Sequence, residues 1–356
     1  MRFIKYLIKL SLSLSVGFTT LAICFTLFFI LLGIFAAAIA ALDNDPFQSY
    51  ETVYGPKESK NKLLSLDVSG VIVGDQGSQK DVFGTLNTNT VSGYDLKQEL
   101  MIASKNPKIK GVVLEISSPG GTIFGSRAIE EGVEYYKEKT HKPVYTFVSG
   151  LAASGGYMAS LASDKIFADY GSAVGSIGVI YGPFKYYDKV LSEDNGLLEG
   201  GVVTQNGIQQ FTFTAGKYKD FGNPYRKMTQ TEIDSTQKTV DNEYDNFVTL
   251  VSDMRHIPAS TIKGTLGALV YDNKTAQEFN LIDGTLNRER TYDLLARKAG
   301  IKNEDFQVIR KKIHPTLVNA LVGSIYHANT PAISLKNCSI SSIVLAYHGD
   351  LANLCE

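Results

Sequence analysis

KGVVLEISSPGGTIFGSRAIEEGVEYYKEKTHKPVYTFVSGLAASGGYMASLASDKIFAD, residues 110–169, decides the fold class. KGVVLEIS (110–117) and KPVYTFVS (142–149) are short β-branched runs with little polar alternation, the pattern of strands buried on both faces. Ser126–Lys139 and Ser154–Ala162 carry helical spacing, and Lys165–Ala168 begins a further strand. Strands alternating with helices predict βαβ crossovers, hence an α/β domain with a mainly parallel sheet and flanking helices over both faces.

Outward from this stretch, LLSLDVSGVIV (63–73) reads as strand, turn and strand, and Tyr94–Ser104 as a helix. Thr229–Met254 predicts a longer amphipathic helix, with Thr231 and Asp234 near its start and Val240, Phe247 and Val251 on its apolar side. No second copy of the strand, helix, strand unit recurs at a fixed spacing, so one catalytic-type domain is expected, over residues 62–315. The tail, 316–356, contains an apolar segment, Ile340–Tyr347, that suits a strand, an interface segment or an extended arm.

Before the domain, Leu10–Leu42 contains no charged residue, whereas about 20 apolar residues cross a bilayer core. Arg2, Lys5 and Lys9 precede the run, and Asp43, Asp45 and Glu51 follow it. This bias predicts one transmembrane anchor (10–42), a cytoplasmic basic N-terminus (1–9) and everything later on the extracytoplasmic side of a cell membrane. A cleaved secretory signal is the alternative, with Ala36–Ala38, Ala40 and Ala41 as small residues, but the apolar run exceeds the roughly 7–15 residues of a signal core. Residues 43–61, polar and containing proline, glycine and serine, read as a stalk.

The chain has 356 residues, 44% hydrophobic and 20% charged, which excludes disordered and collagen-like classes. Thirty-five basic against 36 acidic residues leave a net charge of −1, without the basic footprint of a nucleic-acid binder. Of three cysteines, Cys24 lies in the anchor, so Cys338 and Cys355 are the only soluble pair a disulfide can join.

The sequence contains no GxxxxGK[ST], HExxH, CxxC or EF-hand pattern, and His141, His256, His314, His327 and His348 lie apart from one another and from cysteine at ligand spacings. No cofactor or metal is expected. Two glycine turns follow predicted parallel strands, at the end where open α/β sheets place their crevice: Ser118-Pro119-Gly120-Gly121 and Gly150-Leu151-Ala152-Ala153-Ser154-Gly155-Gly156. A serine among small residues can meet a substrate backbone closely, and the amides of Gly121 and Gly155 can converge as an oxyanion hole. An ordinary helix cap is the competing reading of Ser154. With no histidine in triad context, a desolvated lysine is the base to seek, among Lys165, Lys185, Lys189, Lys217, Lys219 and Lys227.

KGVVLEISSPGG (110–121), VSGLAASGGYMASLASDKIFAD (148–169), GSAVGSIGVI (171–180), AGKYKDFGNPYR (215–226) and LVYDNKTAQEFNLID (269–283) resemble, in order, blocks of the bacterial signal peptide peptidase A family. The chain is similar to that family's short, single-domain, membrane-anchored form. The resemblance runs from about Lys62 to Arg290. It implies a crotonase-like, Clp-protease-like fold and a Ser/Lys dyad, with Ser154 as nucleophile and Lys219, before Asp220, as general base. It also implies Ser176 as the serine that orients the lysine, and Gly121 and Gly155 as oxyanion donors. The family further implies peptide substrates such as cleaved signal peptides, and a homo-oligomeric ring. Gly196–Phe211 is longer than expected for a short member, which bears on the local hairpin rather than on Lys219. A crotonase-type acyl-CoA enzyme and a non-catalytic membrane scaffold are the competing functions.

Overall fold

Capped helical segments and β-branched runs alternate through the chain, and each becomes an element where its backbone hydrogen bonds can close. The computed structural model describes residues 17–21, 23–34, 49–75, 90–188, 192–193, 202–203, 211–302, 305–312 and 344–346. The chain divides into two compact units, 1–51 and 52–356.

In the first unit, α1 (Gly17–Ile34) has a mean hydropathy of 2.3 and no buried surface. At 1.5 Å per residue it is about 27 Å long, close to the thickness of a bilayer core. Cys24 is exposed on it as a free thiol.

In chain order the further elements are β1 (Tyr50–Tyr54), β2 (Lys62–Ser69), β3 (Val71–Val73), β4 (Thr90–Ser92), α2 (Gly93–Ser104), β5 (Ile109–Ser118), β6 (Gly120–Thr122) and α3 (Ile123–Thr140). Then come β7 (Val144–Ala153), α4 (Gly155–Ser160), β8 (Lys165–Ala168), β9 (Ala173–Gly175), β10 (Ser192–Glu193), β11 (Val202–Val203), α5 (Gln230–Arg255) and α6 (Ala259–Thr261). A π-helical turn (Ile262–Leu266), β12 (Val270–Asp272), α7 (Asn273–Glu278), β13 (Gly284–Thr285), α8 (Arg288–Lys298), β14 (Gln307–Lys311) and β15 (Val344–Ala346) complete the series.

The main sheet runs β1-β14-β2-β5-β7-β8-β13, with β9 pairing the end of β7 and β12 pairing β9. From β14 to β13 every neighbouring pair is parallel, and β9 with β12 is antiparallel. The expected α/β class with a mainly parallel sheet is therefore the observed one. Alternation along β5 explains its burial on both faces. Val113 joins Leu63, Phe147, Tyr292 and Leu295 in the core beneath α8, while Val112, Leu114 and Ile116 are fully buried on the other side. Each such aliphatic side chain stabilises the fold by about 1.5–3 kcal/mol.

One charge sits inside this core. Glu115 accepts hydrogen bonds from Ser65 Oγ at 2.6 Å and Tyr292 OH at 2.5 Å, and pairs with Arg310 at 2.9 Å and Arg288 at 3.2 Å. Burial pulls its pKa up, but the two hydroxyls and two guanidinium groups outweigh that and hold it below the usual carboxylate value. The cluster ties β2, β5, α8 and β14 together.

Three readings change. β7 runs to Ala153 rather than ending at residue 149, because β9 continues the ladder at Leu151–Ala153 and Ser118 pairs with Ala152. α5 is capped by Thr229 and Glu232, which form a reciprocal capping box, rather than by Thr231 and Asp234. Residues 50–54, read as stalk, form an edge strand, and buried Ser59 donates to Asp305 O at 3.0 Å. Cys338, Cys355, Lys189 and most of Gly196–Phe211 lie outside the described residues, as does the tail apart from β15.

Candidate active site

The turns expected to carry chemistry lie where β5 and β7 end. Ser154 occupies the junction between β7 and α4, is fully buried, and has φ 54° and ψ −115°. A non-glycine residue in that region is strained by about 1–3 kcal/mol unless its surroundings hold it. Here they do. Ser154 N donates to Gly175 O at 2.8 Å, Met158 N donates to Ser154 O at 2.9 Å, and Ser154 Oγ donates weakly to Gly178 O at 3.4 Å. Its hydroxyl caps no helix amide, so the cap explanation fails.

The neighbouring turn is packed against it through backbone. Ser118 pairs with Ala152 across the sheet, and a Cβ on Gly156 would lie 2.8 Å from Ser118 O. Gly121, in β6, pairs with Ile72 of β3, and a Cβ there would lie 1.9 Å from Ile72 O. Only glycine allows that approach. β15 lies antiparallel on the other edge of β6, with Leu345 opposite Gly121.

Ser176 follows the strand residue that holds the Ser154 amide. It is buried with φ 55°, and its own amide donates to Leu269 O at 2.7 Å. Gly121 lies in β6, within the separate sheet β15-β6-β3-β4 that follows the end of β5, while Ser154, Gly155 and Ser176 are set by the end of the parallel sheet.

Lys219 is not. It is exposed, in the turn following Gly216, and its side chain hydrogen-bonds neither Ser154 nor any other described residue. The other lysines narrow the choice. Lys165 is paired with Asp283 at 2.8 Å, while Lys217 and Lys227 lie over Tyr218 and Tyr186 at 4.9 and 5.5 Å from the ring centroids. The Tyr218 phenol raises the Lys217 pKa, the wrong direction for a neutral base. Lys185 is exposed like Lys219.

The Lys219 turn is anchored by groups that reading the sequence did not single out. Arg226 bonds Asp220 at 2.6 and 2.8 Å and Glu232 at 2.6 and 2.9 Å. The Arg226 guanidinium, with the Thr229 amide, holds Glu232 down to about 2. The same turn meets the strip leading from Ser176: Tyr187 N donates to Pro224 O at 2.8 Å, and Phe184 lies 5.1 Å from Phe221 and 5.2 Å from Tyr181, ring to ring. A cavity of about 340 Å³ opens beside it, lined by Tyr181, Tyr218, Phe221 and the start of α5, and not by Ser154. The TxxE spacing of Thr229 and Glu232 was the available sequence signal for the anchor.

The model of peptidase family S49 matches residues 136–302, and that of Clp protease matches residues 77–168, in keeping with a Clp-protease-like fold. A protein named as a protease in Methanocaldococcus jannaschii is 34% identical over 201 residues, covering 56% of this chain and 60% of that one. The chloroplast serine protease SPPA of Arabidopsis thaliana is 26% identical over 70% of this chain and 36% of its own. A mutant of ClpP1 from Listeria monocytogenes aligns over 65% of this chain and 94% of its own, at 13% identity and a TM-score of 0.39, too low to assign a fold by itself. The protein named signal peptide peptidase SppA in Enterococcus faecium is 32% identical over 254 residues, 71% of this chain and 68% of that one. With that identity over that share of both sequences, the chain belongs to the signal peptide peptidase A family of serine proteases, peptidase family S49.

Proposed function

We propose that this chain is a membrane-anchored serine endopeptidase that uses a Ser154/Lys219 dyad to cut extended apolar peptides, cleaved signal peptides among them, on the extracytoplasmic side. The observation that carries the reading is Ser154 itself, a strained, uncapped serine at a strand-to-helix turn with a glycine turn packed beside it. Such a turn presents a hydroxyl at the end of the sheet, as in other serine hydrolases.

In this mechanism the neutral Lys219 amine takes the Ser154 proton as Oγ bonds to the peptide carbonyl carbon. The carbonyl π pair becomes the oxyanion, held by the Gly121 and Gly155 amides. Collapse breaks the C–N bond, the lysine ammonium returns its proton to the leaving amine, and water activated by the amine releases the acyl group. Ser176 orients the amine. Ser154 is buried and Lys219 exposed, so the pair is completed when the Lys219 turn moves inward or when a second copy presents its own turn. A homo-oligomeric ring is consistent with the latter. The antiparallel placement of β15 on β6 is the arrangement an extended substrate would adopt by strand addition, and α1 supports membrane attachment.

Replacement of Ser154 by Ala is expected to lower kcat on a fluorogenic apolar peptide by about 10⁴-fold or more. Lys219→Ala should do the same with folding intact. Because the base acts uncharged, the rate should rise with pH; a rate flat from about pH 5 to about pH 9, with chemistry limiting, would count against the dyad. Unchanged hydrolysis by Ser154→Ala overturns the whole assignment.

A further inference from the structure

Ser118, the last residue of β5, is fully buried where the chain turns into β6, and its side chain makes contacts in two directions. Its Oγ donates to Gly70 O at 2.6 Å and accepts from Gly120 N at 3.1 Å. Gly70 belongs to the β2–β3 turn, and its own amide donates to Ser117 O at 3.0 Å. Pro119 has no N–H, so the Gly120 amide is the first donor after Ser118, and the hydroxyl takes it. The next residue is Gly121. On its other side, Ser118 abuts the nucleophile turn: a Cβ on Gly156 would lie 2.8 Å from Ser118 O and 3.1 Å from Ser118 Cβ. One side chain therefore spans the β2–β3 turn and the β5–β6 turn, while its backbone sets the distance to the residues after Ser154.

We infer that Ser118 is a positioning residue for the oxyanion hole, fixing the Gly120–Gly121 peptide against the Gly155–Gly156 turn so that both donor amides address one oxygen. The inference rests on the Ser154 reading given above. A serine that accepts from an amide two residues on is a common local turn. Here the hydroxyl also donates across to a different turn, from a residue with no exposed surface. Removing Oγ deprives Gly70 O and Gly120 N of this partner, one peptide before the Gly121 amide proposed to meet the charge that develops in the transition state.

Loss of one direct oxyanion donor lowers kcat by about 10²–10³; tilting a donor should cost less. The test uses the full chain in detergent micelles, a fluorogenic apolar peptide and the peptide aldehyde of the same residues. The aldehyde bonds to Ser154 Oγ, and its oxygen takes the oxyanion position. Ser118→Ala is expected to lower kcat about tenfold or more, weaken aldehyde binding by the same factor and leave KM within about twofold. A purely structural role would instead lower the melting temperature and scale activity with the folded fraction, leaving aldehyde affinity of the folded enzyme unchanged. That result, or a wild-type kcat, overturns the inference. If Ser118→Ala does not fold, Ser118→Cys decides, since it keeps the side-chain shape, slightly enlarged, with a weaker hydrogen-bonding group: parallel losses in kcat and aldehyde affinity support the role, and wild-type values remove it. Activity that survives Ser154→Ala would defeat the dyad itself and is recognised separately.

Discussion

The end of the parallel sheet around Ser154 and the strip that carries Lys219 are built on different physics. Around Ser154, Ser118 and Ser176, strained backbone is held by ladder hydrogen bonds, by glycines whose missing Cβ lets main chains touch, and by burial. Around Lys219, aromatic rings join segments distant in sequence, and Arg226 ties Asp220 to the buried Glu232 at the start of α5, beneath a turn open to solvent. The first region is preorganised within one chain. The second is a solvent-facing turn that carries the proposed base, so the two should respond to perturbation differently.

The largest contrast should come from Gly121→Ala. Its Cβ would meet backbone 1.9 Å away, so a main-chain shift costing about 3 kcal/mol is expected, together with a kcat loss of at least about 100-fold. Melting temperature and single-turnover rates check it; near-normal values would mean that the glycine turn is not rigid. Arg226→Ala should be milder and of another kind. It frees Asp220 and the Lys219 turn, and kcat/KM should fall about tenfold with little change in melting temperature. A large loss of stability would show that the strip is core rather than surface. The Glu232 carboxyl, held down to about 2, stays charged below its ordinary 4.5, and the stability this anchor contributes is full above about 4.5 and lost as pH falls toward 2.

The smallest expected effect lies inside the rigid region. Glu130 of α3 is buried and pairs with Arg127 at 2.9 Å, and among the described residues neither carboxylate oxygen meets a well-aligned hydrogen-bond donor. Burial pushes its pKa up to about 7 against the pull of Arg127. A carboxyl whose folded value lies above its unfolded one favours the fold most below about 4.5, and that contribution is lost as pH rises through about 7. Glu130→Gln should flatten this dependence and raise stability at pH 8 by on the order of 1 kcal/mol, as denaturant titration at pH 4.5 and pH 8 can establish.

What was legible in the sequence was local. β-branched runs and helical spacing marked β5, α3, β7 and β8, because period and side-chain shape act within a few residues. The glycine turns at 118–121 and 150–156 were visible for the same reason, since backbone freedom is a property of single residues. The far end of β7 was hidden by Gly150, whose φ of 89° marks a turn in isolation; β9 carries the strand through, and no local pattern announces that pairing. The Thr229 and Glu232 box was misplaced by two residues because Thr231 and Asp234 offer the same residue types.

Residue order alone implies the α/β class, an apolar N-terminal helix and the positions at which a serine can stand clear of bulky neighbours. That Ser118 spans two turns, that Arg226 anchors the Lys219 segment, and that Lys219 faces solvent while Ser154 is buried follow from the folded chain and from no local pattern. Periodicity and turn chemistry are encoded residue by residue, whereas the meeting of hydroxyls, amides and charges depends on strand register and packing, which emerge only when distant segments share one core.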